Sequence, residues 1–108
     1  MNFRIFLDDI RDVRWVYPDD SHNWHICRSF NEFIDTITIL GFPDMVSFDH
    51  DLGENVPTGM DAAKHLVELD LNTGDMPDKF FYTVHSANPV GAANIRGLLE
   101  NYLNSKKE

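Results

Sequence analysis

Four short runs constrain the fold of this chain more than any other feature: Phe3 to Leu7, Trp24 to Cys27, Met45 to Phe48 and Phe80 to Val84. Each is rich in β-branched or aromatic residues and reads as a strand. Three of them lack clear alternation of apolar and polar positions, which suits strands covered on both faces. Coverage of that kind needs helices between the strands, and the intervening sequence supplies them.

Ser29 can cap a helix while Glu32 reaches back to it, and Phe30, Phe33, Ile34, Ile37 and Leu40 then line one face until Gly41 and Pro43 stop it. A second helix opens at Thr58, with Asp61 in the reciprocal capping position. It turns Ala62, Ala63, Leu66 and Val67 inward and ends at Asn72-Thr73-Gly74. A third has Asn88 as cap and Pro89 at its first position, with Ile95, Leu98, Leu99, Tyr102 and Leu103 at helical spacing. The order strand, strand, helix, strand, helix, strand, helix predicts right-handed crossovers and an α/β three-layer sandwich on a mostly parallel four-stranded sheet. Residues 10–22 carry too little periodicity to choose between a helix and an irregular loop. Residues 1–104 are expected to form one domain, and 105–108 a frayed tail.

With 108 residues, 43% of them hydrophobic, the chain can build a single modest core. Eighteen acidic against nine basic residues give a net charge of −9, a field that repels nucleic acid and phosphorylated ligands unless it is reversed locally. Direct binding to duplex nucleic acid is therefore not expected. The single Cys27 excludes an internal disulfide and reads as a small buried hydrophobe. The N-terminal apolar run is too short for a signal peptide or membrane span, so the expected location is the cytoplasm, with no membrane partner.

Ligands of open parallel sheets bind beyond the carboxyl ends of the strands. Here the first run leads into Asp8-Asp9-Ile10-Arg11, the third into Asp49-His50-Asp51 and the fourth into His85-Ser86-Ala87-Asn88. Carboxylates gathered at one edge repel one another, and a hard divalent cation such as Mg²⁺, or Mn²⁺, would compensate. Asp8, Asp9, Asp49 and Asp51 are the candidate ligands. The plainer alternative is that these aspartates cap turns and pair with Arg11 or Arg14. His50 and His85 carry imidazoles, the side chain suited to proton transfer near neutral pH, at the ends of different strands. His25 and His65 read as structural, and His22 has no evident partner in its loop. The Asn88-Pro89-Val90-Gly91 turn starts a helix whose first amides can cradle an anion, with Gly91 admitting close approach. Arg11, Ser86, Asn88 and Gly91 are the candidate phosphate contacts.

Four blocks carry a resemblance: Leu7-Asp8-Asp9-Ile10-Arg11, Ser47-Phe48-Asp49-His50-Asp51-Leu52-Gly53, Thr58-Gly59-Met60-Asp61, and His85 through Gly91 with Asn94. Together they resemble the cyclic-phosphate processing receiver-like domains, a family known from phages and bacteria. The resemblance implies a variant of the receiver (flavodoxin-like) fold, with Asp8 and Asp9 holding Mg²⁺ and Asp49 in the place of a phosphoacceptor. Ser86 fits the Ser or Thr expected after the fourth strand. The Lys expected after a fifth strand is missing, since no fifth strand follows the last helix, and this argues against signalling by phosphorylation.

The resemblance implies hydrolysis of a cyclic nucleotide or ADP-ribose cyclic phosphate in RNA or nucleotide processing. For a phage-encoded chain the setting would be the host cytoplasm. His50, His85 and Asp49 would be catalytic, and the sequence leaves open which histidine is acid and which base. The alternative function is a non-catalytic module that binds a nucleotide or other small phosphorylated ligand in the same crevice. No residue decides the oligomeric state.

Overall fold

The computed structural model describes residues 2–107. Strands β1 (Arg4–Leu7), β2 (Trp24–Cys27), β3 (Met45–Phe48) and β4 (Phe81–Val84) form one sheet in the order β2-β1-β3-β4, with every neighbouring pair parallel. Between and after them lie α1 (Val13–Val16), α2 (Phe30–Leu40), α3 (Gly59–Thr73) and α4 (Pro89–Lys106). The chain is α/β and receiver-like, with the four strands expected from the sequence and no fifth among the described residues.

The caps form as the sequence predicts. Ser29 Oγ accepts the Glu32 amide at 3.1 Å, Asp61 Oδ2 accepts the Thr58 amide at 2.8 Å, and Asn88 Oδ1 accepts the Gly91 amide at 3.0 Å. Gly74 ends α3 in the left-handed conformation, with φ of 70°.

One sheet face presents Ile5, Leu7, Cys27, Val46 and Phe48, and all three long helices pack on it. Phe33 and Ile37 come from α2, Ala62, Ala63 and Leu66 from α3, and Ile95 and Leu99 from α4. The opposite face carries Phe6 and Ser47, which are in register and fully buried. Its cover is thin: α1 is a single turn with no buried residue, and closure falls to Tyr17 and Trp24. Trp24 meets Phe6 edge-on at 6.2 Å and stacks on Tyr17 at 5.3 Å. The segment 10–22, left undecided by its periodicity, is thus mostly irregular and is held down by aromatic contacts.

Two details depart from the sequence reading. His22 does have a partner, because Asp20 two residues back accepts from its ring at 2.6 Å. The expected frayed tail is helical as far as Lys106, and Glu108 lies outside the described residues. The cause is Asp70 on α3, whose buried carboxylate binds Lys106 Nζ, accepts from Tyr102 at 2.6 Å and accepts the Met76 amide at 2.9 Å. Burial, and then Asp70, push the Tyr102 phenol up to about 12. Asp70→Ala leaves a buried amide and a hydroxyl without acceptors and is expected to cost at least about 2 kcal/mol in urea denaturation. An ultraviolet titration should show the Tyr102 phenol falling back toward its ordinary range in the same variant.

Candidate functional site

The carboxyl ends of β1, β3 and β4 bring Asp8, Asp49 and His85 together. One ligating atom from each lies within 4.8 Å of the others. Asp8 sits where the chain leaves β1 and turns sharply, so its Oδ1 accepts the amides of Ile10 at 2.9 Å and Arg11 at 2.8 Å. Its Oδ2 meets His85 Nε2 at 3.0 Å and the Arg11 guanidinium at 3.6 Å. Burial pushes the Asp8 carboxyl up, but the Arg11 and Ile10 amides and His85 outweigh it and hold it below the usual range. Asp8 is therefore ionised at neutral pH.

Asp49 has the opposite balance. Burial, reinforced by the charge of Asp8, raises its pKa against the weaker pull of Ser86, His85 and the His50 amide. Burial also lowers the pKa of His85, against the hydrogen bond and charge of Asp8. The ring stacks on Phe6 at 4.5 Å, nearly parallel. Its Nδ1 lies 2.7 Å from Ser47 Oγ, so both ring nitrogens are engaged within the protein.

Around this centre the protein ties its own loops. Arg11 donates to the His85 carbonyl at 3.0 Å, joining the end of β1 to the end of β4. Arg28, just past β2, donates to the carbonyls of Asp8 and Arg11. The sequence reading missed Arg28, since a lone Arg before a helix cap carries no motif; its position after a strand end was the available signal. It also missed Tyr17 and Thr83, whose hydroxyls lie 2.6 Å apart, and the part Ser47 plays. Both Ser47 and Thr83 are hydroxyls inside strands, and that was their signal.

A second cluster lies beside the first. His50 Nδ1 is 2.9 Å from Asp51 Oδ1, and Asn88 Nδ2 donates to both Asp51 oxygens at 3.3 and 3.4 Å. Among the described residues, His50 Nε2 makes no hydrogen bond. The imidazole lies flat against the start of α4: a Cβ on Gly91 would come within 2.3 Å of His50 Cγ. In the same way a Cβ on Gly59 would fall 1.9 Å from the Asp49 carbonyl oxygen, so the first turn of α3 rests directly on the backbone carrying the site.

Several expected roles change with this geometry. Asp9 stays outside the cluster of ligating atoms, because the turn that points Asp8 inward sends the next side chain elsewhere. Asp51 is exposed and turned toward His50 and Asn88, away from Asp8 and Asp49. Gly91 admits the His50 ring instead of a ligand, and its amide is taken by Asn88. Asn88 is likewise spent, capping α4 with its oxygen and binding Asp51 with its nitrogen. Ser86 accepts the Asn88 amide at 3.1 Å and lies near enough to Asp49 to lower its pKa. Arg96 reaches the Val84 carbonyl at 3.5 Å on the exposed side of β4.

A parallel sheet ordered β2-β1-β3-β4 with acids beyond β1 and β3 defines a receiver-like α/β protein. Solved structures that share the fold include two of low sequence identity. One, described as a trimeric coiled-coil segment of yeast Spc42 fused to another structure, has 12% identity and a TM-score of 0.60, covering 97% of this chain and 80% of its own. The other, NtrX from Brucella abortus, has 16% identity and a TM-score of 0.53, covering 97% of this chain and 27% of its own. No curated protein matches. The model of the cyclic-phosphate processing receiver domain matches residues 3–101, and the chain belongs to that family. No helix among the described residues is long and apolar enough to cross a membrane.

Proposed function

We infer that the protein is a phosphoesterase that opens a small cyclic phosphodiester, such as a nucleotide or ADP-ribose cyclic phosphate. The observation that carries this reading is an imidazole backed by a carboxylate, beside two buried carboxylates. Asp51 holds the Nδ1 side of His50 and leaves Nε2 without a partner, which is how a general base is presented. Asp49 and Asp8 stand close enough that the charge of one raises the pKa of the other. A divalent cation, Mg²⁺ or Mn²⁺, fits that pair, and it would offset their charge and polarise the phosphoryl oxygens. Asp8 and Asp49 would hold it.

The chain's own residues then divide the work. His50 Nε2 takes a proton from water as the water oxygen bonds to phosphorus. The ring P–O bond breaks, the departing oxygen takes a proton from solvent, and His50 returns its proton to solvent. Arg11, fixed by the His85 carbonyl, offers its remaining N–H groups to the phosphate, and the Ser86 hydroxyl, next in the chain to His85, offers a further contact. His85 is not the second proton-transfer group here. With both ring nitrogens engaged, it holds Asp8 in place.

The test is incubation of the purified protein with Mn²⁺ or Mg²⁺ and a panel of 2',3'-cyclic nucleotides and ADP-ribose cyclic phosphate. Turnover is expected, and His50→Ala should lower kcat by roughly 10²- to 10⁴-fold, the range for losing one general base, while ligand binding is retained. Intact substrates across the panel would remove the catalytic reading. Binding without turnover would make the domain a non-catalytic phosphate-binding module.

A further inference from the structure

Where the chain leaves β2 and β3 lies a cavity of about 160 Å³, lined by Ser29, Phe30, Asn31, Leu52, Val56 and Pro57. Two segments build it, and both start beside Asp8 and Asp49. Leu52 is three residues past Asp49, at most about 11 Å of chain. Ser29 follows Arg28, whose guanidinium is bonded to the Asp8 and Arg11 carbonyls. None of the six lining residues is charged, in a chain of net charge −9.

The loop between β3 and α3 is shaped to close this cavity. Its backbone takes a positive φ twice, 135° at Gly53 and 58° at Asn55, the residue types that tolerate it best. The turn brings Val56 against Gly53, where an added Cβ would lie 3.2 Å from Val56 Cγ2. Leu52, 6% exposed, anchors the loop in the core, while Val56 keeps 46% of its surface in water. An apolar side chain left half exposed on a cavity wall gains by meeting another apolar surface. On the opposite wall Phe30 packs on the core and meets the His65 ring edge-on at 6.4 Å. Asn31 beside it is exposed, with a carboxamide that can both donate and accept.

We propose that this cavity is a base subsite, taking the nucleobase of a nucleoside cyclic phosphate whose phosphorus lies at Asp8 and Asp49. The proposal rests on the phosphoesterase reading and narrows it. Pockets for whole drug-sized ligands run to roughly 300–1,000 Å³, so this one holds a base and leaves ribose and phosphate outside. Its uncharged walls suit a neutral heterocycle and not a second phosphate. An aromatic wall at Phe30 and an amide at Asn31 match a flat ring with polar edges, through stacking and hydrogen bonds. In a nucleoside 2',3'-cyclic phosphate the base and the phosphate share one ribose, so both reach neighbouring sites together. The cyclised ribose of ADP-ribose cyclic phosphate carries no base, and its adenine stands a diphosphate away. The nucleoside substrate is therefore the better fit.

The experiment titrates the ¹⁵N-labelled protein, with Mg²⁺ present, with uridine 3'-phosphate, adenosine 3'-phosphate and glycerol phosphate, and follows the amide spectrum. The amides of Asn31, Leu52 and Val56 should shift with a nucleotide and stay in place with glycerol phosphate. The better nucleotide should bind roughly tenfold tighter than glycerol phosphate, the scale of one base–aromatic contact. Val56→Asn and Phe30→Leu should each remove most of that advantage. Because Val56 is exposed, its variant decides the matter if Phe30→Leu does not fold. Neither nucleotide binding tighter than glycerol phosphate, or no nucleotide shift at Asn31 and Val56, would overturn the proposal. In turnover, KM for a nucleoside 2',3'-cyclic phosphate should lie roughly tenfold below that for glycerol cyclic phosphate, and Val56→Asn should raise the first toward the second. Turnover of both with equal KM would remove the base subsite and leave the phosphoesterase reading standing. Nucleotide-specific shifts at the cavity in a protein that turns over neither would do the reverse.

Discussion

Asp49→Asn is expected to stabilise the protein in chelator and, on the phosphoesterase reading, to abolish most of its turnover. The Asp49 pKa is raised by burial and by Asp8, so its ionised form is less favoured in the folded chain than in the unfolded one. A carboxyl whose folded pKa lies above its unfolded value binds more protons when folded, and its contribution to stability falls as pH rises from the ordinary Asp range through the raised folded value. Asn keeps the shape and cannot ionise. Above that window the variant should therefore melt higher than wild type in the presence of chelator, and below it the two should converge.

Mn²⁺ should reverse the order, stabilising wild type through its two carboxylates and the variant much less. Turnover of a cyclic phosphate should fall by roughly 10²- to 10³-fold, comparable to the loss of one electrostatic stabiliser. Thermal melts across pH, with and without Mn²⁺, check the stability claims independently of any substrate. A variant less stable than wild type at neutral pH in chelator would sink the argument from repulsion.

Gly59→Ala is expected to have the largest effect on stability. Its added methyl would meet the Asp49 carbonyl oxygen at 1.9 Å, with the carbonyl carbon at 2.9 Å. Backbone on both sides leaves no flexible side chain to give way. The Gly59 amide also donates to the His50 carbonyl at 2.8 Å, a bond that shifting α3 outward would break. The cost should exceed about 3 kcal/mol, the upper end of ordinary overpacking, and would appear as a lower urea midpoint. Gly91→Ala makes a useful contrast, because there the methyl meets the His50 side chain and no backbone. That variant should keep much of its stability while losing the placement of His50. Equal destabilisation by the two substitutions would show that the His50 ring is as immobile as backbone.

These two glycines also show where sequence reading succeeds and where it stops. The strands were legible because four short apolar runs lie between capped helices; Ser29 and Asn88 cap as their spacing requires, and Asp61 takes the Thr58 amide at the start of α3. Topology followed, and with it the meeting of Asp8, Asp49 and His85 at one sheet edge. What did not follow was side-chain direction beyond the strand ends. Asp8 and Asp9 are chemically identical neighbours, and only the turn that directs the Ile10 and Arg11 amides at one of them separates their roles. Asp51 and Asn88 look like ligands in sequence but bind each other, and nothing in their spacing signals a contact across 37 residues. Gly91 was read as space for a ligand; the space is filled by His50, a residue from another strand end. The hydroxyl group of Tyr17, Ser47 and Thr83 stayed hidden for the same reason, since it assembles only when three segments meet.

The thin cover on the Phe6 face has a consequence for how the molecule breathes. Residues 9–23 bury little, with Ile10 72% and Trp15 66% exposed, and amides in such segments exchange with solvent through local openings far smaller than global unfolding. Tyr17 belongs to this segment, and its hydroxyl is hydrogen-bonded to Ser47 and Thr83 behind His85. Each opening that lifts Tyr17 would take its hydroxyl away from Ser47 and Thr83 while the three-helix core stays closed. The Asp8–Asp49–His85 cluster would then rest on two supports of different lifetime: a core that opens only with the whole fold, and a contact that opens with one loop.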